Sequence, residues 1–341
     1  MIRRDDRAVS TTVSYALTLA ITGILISGLL VAGAGFVDDQ RERASATELN
    51  VIGQRLAADV GAADRLALAT GGAVTMNRTL TDTVVGSGYR IDVERVGESN
   101  TYELTTVSQS PEVSSTVRLY AESPVLGGPV PGGRVTVASN DVLRQKLTIT
   151  RHGESFAYRE VDGLVVIEAE LPFERAAGTG AWANHSWEPF DDAVASGDEA
   201  IVTRPNVSDS GGTDNTTAGP RLSYPVRFEQ AGTYYVWVRL RAPATNPGNS
   251  DSVHLGLDGS PATYGGEGLS EGAGTSWTWV KGVANDGTTG DHVTVSPASP
   301  GVSRLDLWMR EDGTQVDTII LVDNSTYDPN TDPVPSAWWS A

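Results

Sequence analysis

Thr233-Tyr-Tyr-Val-Trp-Val-Arg-Leu-Arg241 alternates without a break. In an extended strand, successive side chains point to opposite faces. Tyr234, Val236, Val238 and Leu240 therefore share one face, and Tyr235, Trp237, Arg239 and Arg241 share the other. The first set reads as core. The second reads as a wall of aromatic and guanidinium groups able to stack.

Working outward, further strand-like runs surround this one: Val165–Glu170, Leu222–Phe228, Ser252–Leu257, Trp277–Val280, Asp291–Val295, Arg304–Arg310 and Val316–Val322. Glycine- and asparagine-rich segments separate them, as turns require. About eight short strands in one stretch predict a jelly-roll sandwich over 164–329. Residues 330–341 then form a C-terminal tail. All eight tryptophans lie beyond residue 180, and Trp338-Trp339 stands near the end.

Upstream, period two also rules 73–153. The runs are Tyr89–Val96, Tyr102–Val107, Val113–Tyr120, Arg134–Val137 and Leu147–Thr150, with Gly/Pro clusters such as Gly127-Gly-Pro-Val-Pro-Gly-Gly133 between them. This predicts a small antiparallel β-domain, linked to the sandwich near His152-Gly-Glu154. Before it, Leu49, Ile52, Leu56, Val60 and Ala63 recur at three- and four-residue steps, a helical stripe. Gly71-Gly72 ends that helix. Residues 38–72 thus read as a helix outside the membrane.

The first forty residues decide the compartment. Tyr15–Val37 reads YALTLAITGILISGLLVAGAGFV and carries no charge. About 20 apolar residues suffice to cross roughly 30 Å of hydrocarbon. Arg3, Arg4 and Arg7 precede it, and Asp38 and Asp39 follow. Positive charge stays inside, so the bulk of the chain is expected to face outward from a single-pass span at 9–37. Three readings of this segment stand together: a secretory signal with Ala32-Gly-Ala34 as its cleavage site, a permanent signal anchor, and a pilin-type leader. The third rests on resemblance. Arg7-Ala8-Val9-Ser10, followed directly by an apolar helix, resembles the class III leaders of haloarchaeal type IV pilins. The resemblance implies a leader over 1–8, cleavage between Ala8 and Val9, and a rod-like helix presenting a pilin-like β-head to other pilin-like subunits.

Composition narrows the function. Acidic residues outnumber basic ones 43 to 25, giving a net charge of −18, and only Lys146 and Lys281 are lysines. Such acidity resembles a halophilic archaeal proteome. It argues against nucleic acid as a partner, because phosphate contacts need basic patches. There is no cysteine, hence no disulfide and no thiolate metal site. His152, His185, His254 and His292 are dispersed without zinc spacing, and each reads as surface or core.

A second resemblance covers about 165 residues. Val166-Ile-Glu-Ala-Glu170, Gly232–Arg239, Asp251–Gly259, Ser276-Trp-Thr-Trp279, Leu307–Gly313 and Val316–Asp323 follow one another in an order similar to galactose-binding-like jelly-roll carbohydrate-binding modules that carry a structural calcium. The resemblance implies a sugar site at a loop end, held between aromatic faces. Stacking on neutral sugars needs such faces and a few fixed polar groups. Trp182, Trp277 and Trp279 are the expected aromatic residues, with Asp251 and Arg310 as polar partners; Trp237 and Trp308 are expected to be structural. The resemblance also places the calcium on Glu168, Glu170 and Asp323, where first and last strands would meet. Oxygen donors suit that ion.

The same carboxylates could be imagined as a glycosidase pair, but two acids on one strand make no cleft. Hydrolase and phosphate-loop signatures are absent, so the chain is expected not to be an enzyme. Asn77, Asn184, Asn206, Asn215 and Asn324 stand in Asn-x-Ser/Thr sequons and are candidate glycan acceptors. The expected protein is a surface adhesin that binds glycans. The alternative is a structural pilus or envelope subunit whose jelly roll binds no sugar.

Overall fold

The computed structural model describes residues 6–97, 99–143, 145–207, 212–213, 215–263, 268–270, 272–285 and 288–335. The first residues of the expected leader and Trp338-Trp339 of the tail lie outside that set. The chain is mostly β, with one long N-terminal helix followed by two β-domains.

The helix runs unbroken from Asp6 to Thr70. Among the described residues it is the one helix long and apolar enough to cross a membrane, and its most apolar window is wholly unburied. The Ala8–Val9 peptide lies inside its first turns. Burial begins at Ser45. From there Leu49, Ile52, Leu56, Val60, Ala63 and Ala67 form one buried stripe, the spacing expected of a helix laid on a sheet. Gly53 allows the close approach: a Cβ there would sit 3.0 Å from Cγ2 of Val117. The helix stops where Gly71 takes φ +60°, a left-handed conformation that glycine adopts without strain. The Gly71 amide donates to the Ala67 carbonyl at 2.8 Å.

The head built on this stripe has two small sheets. One orders Thr75–Thr79, Arg134–Asp141, Gln145–Arg151 and Val125–Gly127; the other orders Thr83–Val84, Ser87–Arg95, Thr101–Gln109 and Glu112–Tyr120. Asp64 fastens the helix to the head, accepting the Glu122 amide at 2.8 Å and the Ser123 amide at 3.2 Å.

The distal domain is a sandwich. Its first sheet runs Tyr158–Arg159, Arg221–Phe228, Gly301–Met309, Val253–Leu257 and Ser260–Pro261. The second runs Ser186–Asp191, Glu199–Arg204, Gln315–Val322, Tyr234–Arg241 and Thr278–Val280. Leu164–Glu168 also pairs with Gln315–Val322, so the first long strand does lie beside the last. Tyr234, Val236, Val238 and Leu240 are fully buried between the sheets, as their alternation requires. Trp237 and Trp308 are buried too.

Three features depart from the sequence reading. Tyr158–Arg159 joins the sandwich ahead of residue 164, pairing in parallel with Arg221–Phe228. Two strands without alternation, Ser186–Asp191 and Glu199–Arg204, complete the second sheet. The run Asp291–Val295 is not one strand: it changes partners at Val293, between the hairpin ending at His292 and the pair Thr294–Val295. Val293 is buried and bridges both, donating to the Lys281 carbonyl and accepting from Val236, at 2.8 and 2.9 Å.

The two domains share apolar contacts. Leu126 of the head is part of the sandwich core, and Leu143 packs on it. Lys146 of the head is fully buried, with Nζ 5.0 Å from the ring centre of Phe173.

Candidate functional site at the loop end of the sandwich

Tyr234–Arg241 and Gln315–Val322 are paired so that Arg241 lies opposite Gln315. The segments beyond these ends meet at one edge of the sandwich. Between them lies a groove of about 380 Å³, whose lining includes Arg204, Asn206, Thr245, Asn246 and Gln315. Three amides, two threonines and one guanidinium stand there beside Val202, Val207 and Pro243, which suits a ligand rich in hydroxyls.

The turn Arg310–Thr314 sets the floor. Gly313 has φ +81°, and a Cβ there would collide with the Asn206 side chain, so a glycine lets Asn206 close on the turn. Asp312 is fully buried and holds the rim, accepting from the Val207 amide at 2.8 Å and lying 3.3 Å from Nε2 of His185. The Thr203 hydroxyl donates to the Glu311 carbonyl at 3.2 Å.

The five expected sugar-binding residues occupy different neighbourhoods. Trp182 sits on the turn Gly180–Trp182, edge-on to His185 at 5.0 Å and packed on the main core. Asp251 and Arg310 form a network beneath the groove. The Asp251 amide donates to Glu311 at 2.9 Å, and Nη1 of Arg310 donates to Ser252 and Glu311 at 2.6 and 2.5 Å. Burial, and then the neighbouring Glu311 carboxylate, push the Asp251 carboxyl up to about 7.

Trp277 lies against the outer wall of the second sheet, with the Arg241 guanidinium 4.4 Å and that of Arg239 5.7 Å from its ring centre. Arg241 in turn donates to Gln315 at 2.6 Å and pairs with Asp192. That guanidinium links Trp277 to the groove. Trp279 belongs to a separate apolar cluster with Val166, Trp237, Ile320, Tyr327 and Val334. Trp277 and Trp279 thus flank one sheet face, while Trp182, Asp251 and Arg310 support the loop end. The sequence reading missed Asn246, a loop residue that carries no periodicity, and Gln315, which stands at the very start of the last strand. It noted Asn206 only as a glycan acceptor. The five sequon asparagines are all exposed.

The expected calcium trio does not form. Glu168 lies opposite Thr318, whereas Leu164 lies opposite Val322, so Asp323 falls at the other end of the strand pair. There Asp323 accepts from Gln230 at 3.0 Å. The carboxylates that do crowd Glu170 are Glu168, Glu199 and Asp317. Together with burial, the largest cause, they push the Glu170 carboxyl well above its usual range. Glu168 and Asp317 are already engaged, whereas Oε2 of Glu170 is buried without a hydrogen-bond partner. Ser196 donates its hydroxyl to Glu168 at 2.7 Å and its amide to Asp317 at 2.9 Å, and Arg239 donates to Asp317 at 2.5 Å. Positive charge also comes from Lys146 of the head, which interacts electrostatically with Glu170. Among the described residues, no three His, Asp or Glu side chains converge on a metal position. The trio named from the sequence therefore does not converge on one position, and Arg239 takes up the charge of Asp317.

Residues 4–150 match a family of unknown function, DUF7266. Residues 157–329 match the family described as the glycosyl hydrolase family 115 C-terminal domain. Uncharacterized protein P23 of Formosa agariphila is 26% identical over 208 residues, which are 52% of this chain and 48% of that protein. The chain thus spans about half the length of that curated relative. Among solved structures, a family 35 carbohydrate binding module from Clostridium thermocellum is 20% identical, with 46% of this chain and 97% of that one covered, at a TM-score of 0.29. An isomalto-dextranase of Arthrobacter globiformis T6, complexed with panose, is 14% identical, with 73% and 32% covered, at a TM-score of 0.32. The match over 157–329 takes in more than half of the chain, which therefore belongs to the glycosyl hydrolase family 115 C-terminal domain family.

Proposed function

We propose that this chain is a membrane-anchored, outward-facing surface protein whose sandwich domain binds carbohydrate without cleaving it. The observation that carries the reading is the polar loop-end groove, lined by Asn206, Asn246 and Gln315, in a domain of the family 115 C-terminal type. Amide side chains both donate and accept, so each can satisfy a sugar hydroxyl in either role. The acids nearest the groove support a binding role. Asp312 holds the Val207 amide, and Glu311 holds Arg310 and the Asp251 amide.

Single sugar contacts are weak, and display in several copies gives avidity. The unburied apolar helix supports anchoring. Cleavage after Ala8 and entry into a pilus-like assembly extend this reading, and N-terminal sequencing of the native protein tests them. Glycans on Asn77, Asn184, Asn206, Asn215 and Asn324 belong to the same proposal, checked by intact-mass measurement.

The test is a glycan array probed with the full chain in nanodiscs, parent against Gln315→Ala and Asn246→Ala. Binding of a defined sugar class that both variants lose supports the groove. Binding unchanged in both assigns it elsewhere. A second reading, a structural subunit without sugar binding, is favoured by one observation: the Trp277 ring already has Arg239 and Arg241 over it, and Trp279 packs beside Tyr327 and Val334. No binding by a folded sample on a broad array selects that reading.

A further inference from the structure

A second groove, of about 350 Å³, opens where the head meets the sandwich. The head supplies Gly127–Pro131 and Ile149–Arg151 to its lining, and the sandwich side supplies Glu154–Ala157, Arg159, Arg227 and Glu229. Three arginines therefore line one recess, with two glutamates, in a chain whose net charge is −18.

Their placement is not explained by the fold. Arg159 and Arg227 are direct neighbours on adjacent parallel strands. Like charges at such positions destabilise a sheet. The nearby acids compensate loosely. Arg159 lies 3.6 Å from Glu229 and Arg151 lies 3.8 Å from Glu154, both beyond hydrogen-bond distance and with partly or well exposed side chains. Pairs of that kind contribute little and are screened by salt. Arg227 has no ion pair among the described residues. The three forks thus keep donors available for an oxyanion, whose planar or tetrahedral oxygens they match.

We propose that this seam groove binds an acidic saccharide, its carboxylate or sulfate held by Arg151, Arg159 and Arg227. Thr150, Ser155, Gly127 and Gly128 line the same recess, and their polar groups suit the sugar's own hydroxyls. Charge density selects the ligand class. Glu154 and Glu229 in the same lining, in a protein this acidic, repel a polyanion with a charge at every unit step such as nucleic acid. A sugar chain with isolated charges leaves its neutral rings beside those carboxylates. The site needs both domains, and it is separate from the loop-end groove.

The test is calorimetric titration of the full chain in nanodiscs at fixed ionic strength. The probes are galactan oligosaccharides carrying one uronate for carboxylate or one sulfate ester for sulfate, with the uncharged galactan oligosaccharide as control. One or both acidic probes are expected to bind at least tenfold more tightly than the neutral one. Arg227→Gln is expected to weaken that binding at least tenfold with unchanged melting temperature, while Gln315→Ala leaves it unchanged. Arg159→Gln provides a second reading of the same site. Acidic-probe binding that survives both arginine variants, equal binding of the neutral probe, or stronger binding of a nucleic-acid oligomer overturns the proposal. Because Gln315→Ala reports on the loop end alone, failure here and failure of the loop-end reading are distinguishable.

Discussion

Lys146 of the head and Glu170 of the sandwich are both buried, within electrostatic range of each other across the domain junction. Burial pushes the Lys146 amine down to about 7, while Glu170 and then Asp141 pull it back up. A lysine with a depressed folded pKa binds fewer protons folded than unfolded. Stability then rises with pH from about 7 toward the ordinary lysine range, and below about 7 the burial cost is borne in full. Lys146→Met is expected to remove this rise. Melting curves of parent and variant from pH 6 to 10 check it, and parallel pH profiles would count against a buried amine.

The same junction predicts how calcium behaves. Because Arg239 and Lys146 supply the positive charge near Asp317 and Glu170, a chelator is expected to leave the melting temperature unchanged at high salt. A drop of several degrees, restored by calcium, would show that these carboxylates rearrange around an ion after all.

Asp251 gives the opposite pH limb at the loop end. Its folded pKa, about 7, lies above the usual carboxylate value. The folded state therefore holds an extra proton between those values, and stability falls as pH rises through that window. Asp251→Asn keeps a neutral side chain beside Glu311 and is expected to flatten the fall. At pH 8 the variant should melt higher than the parent, and a lower melting point would contradict the assignment.

Asp64→Ala tests how the helix is fixed to the head. It strands the amides of Glu122 and Ser123, both bonded to Asp64. The Ser123 bond is buried and the Glu122 bond only partly so, and leaving one buried donor unsatisfied costs about 1–3 kcal/mol. Urea unfolding should report a loss of about that size, against less than 0.5 kcal/mol, roughly, for a surface change away from such features.

Trp277→Ala separates packing from recognition. It removes the ring beneath Arg241, an interaction of about 0.5–1 kcal/mol at exposed sites. If Trp277 only positions Arg241 and Gln315, glycan affinity should fall two- to fivefold. A loss beyond fiftyfold in a folded variant would make the ring itself a sugar platform.

Much of this fold is legible in the residues. Strict alternation in Thr233–Arg241 assigned both faces of the central strand, and the steps from Leu49 to Ala63 marked the buried helical stripe. What escaped has a physical cause. Glu199–Arg204 is buried along nearly its whole length, so it shows no period. Asp317 and Asp323 both belong to the segment around the last strand, and only register tells which one faces Glu170. Gln315, Asn206 and Asn246 come from separate segments that the topology alone brings to one groove.

The unbroken helix Asp6–Thr70 has one more consequence. With 3.6 residues per turn, each residue turns the chain by about 100°. On the anchored reading, the head and the groove it carries have a compass bearing fixed by helical phase. Deleting one residue from the exposed stretch between Val37 and Ser45 would swing that bearing by more than a quarter-turn, with every contact inside the head and sandwich intact.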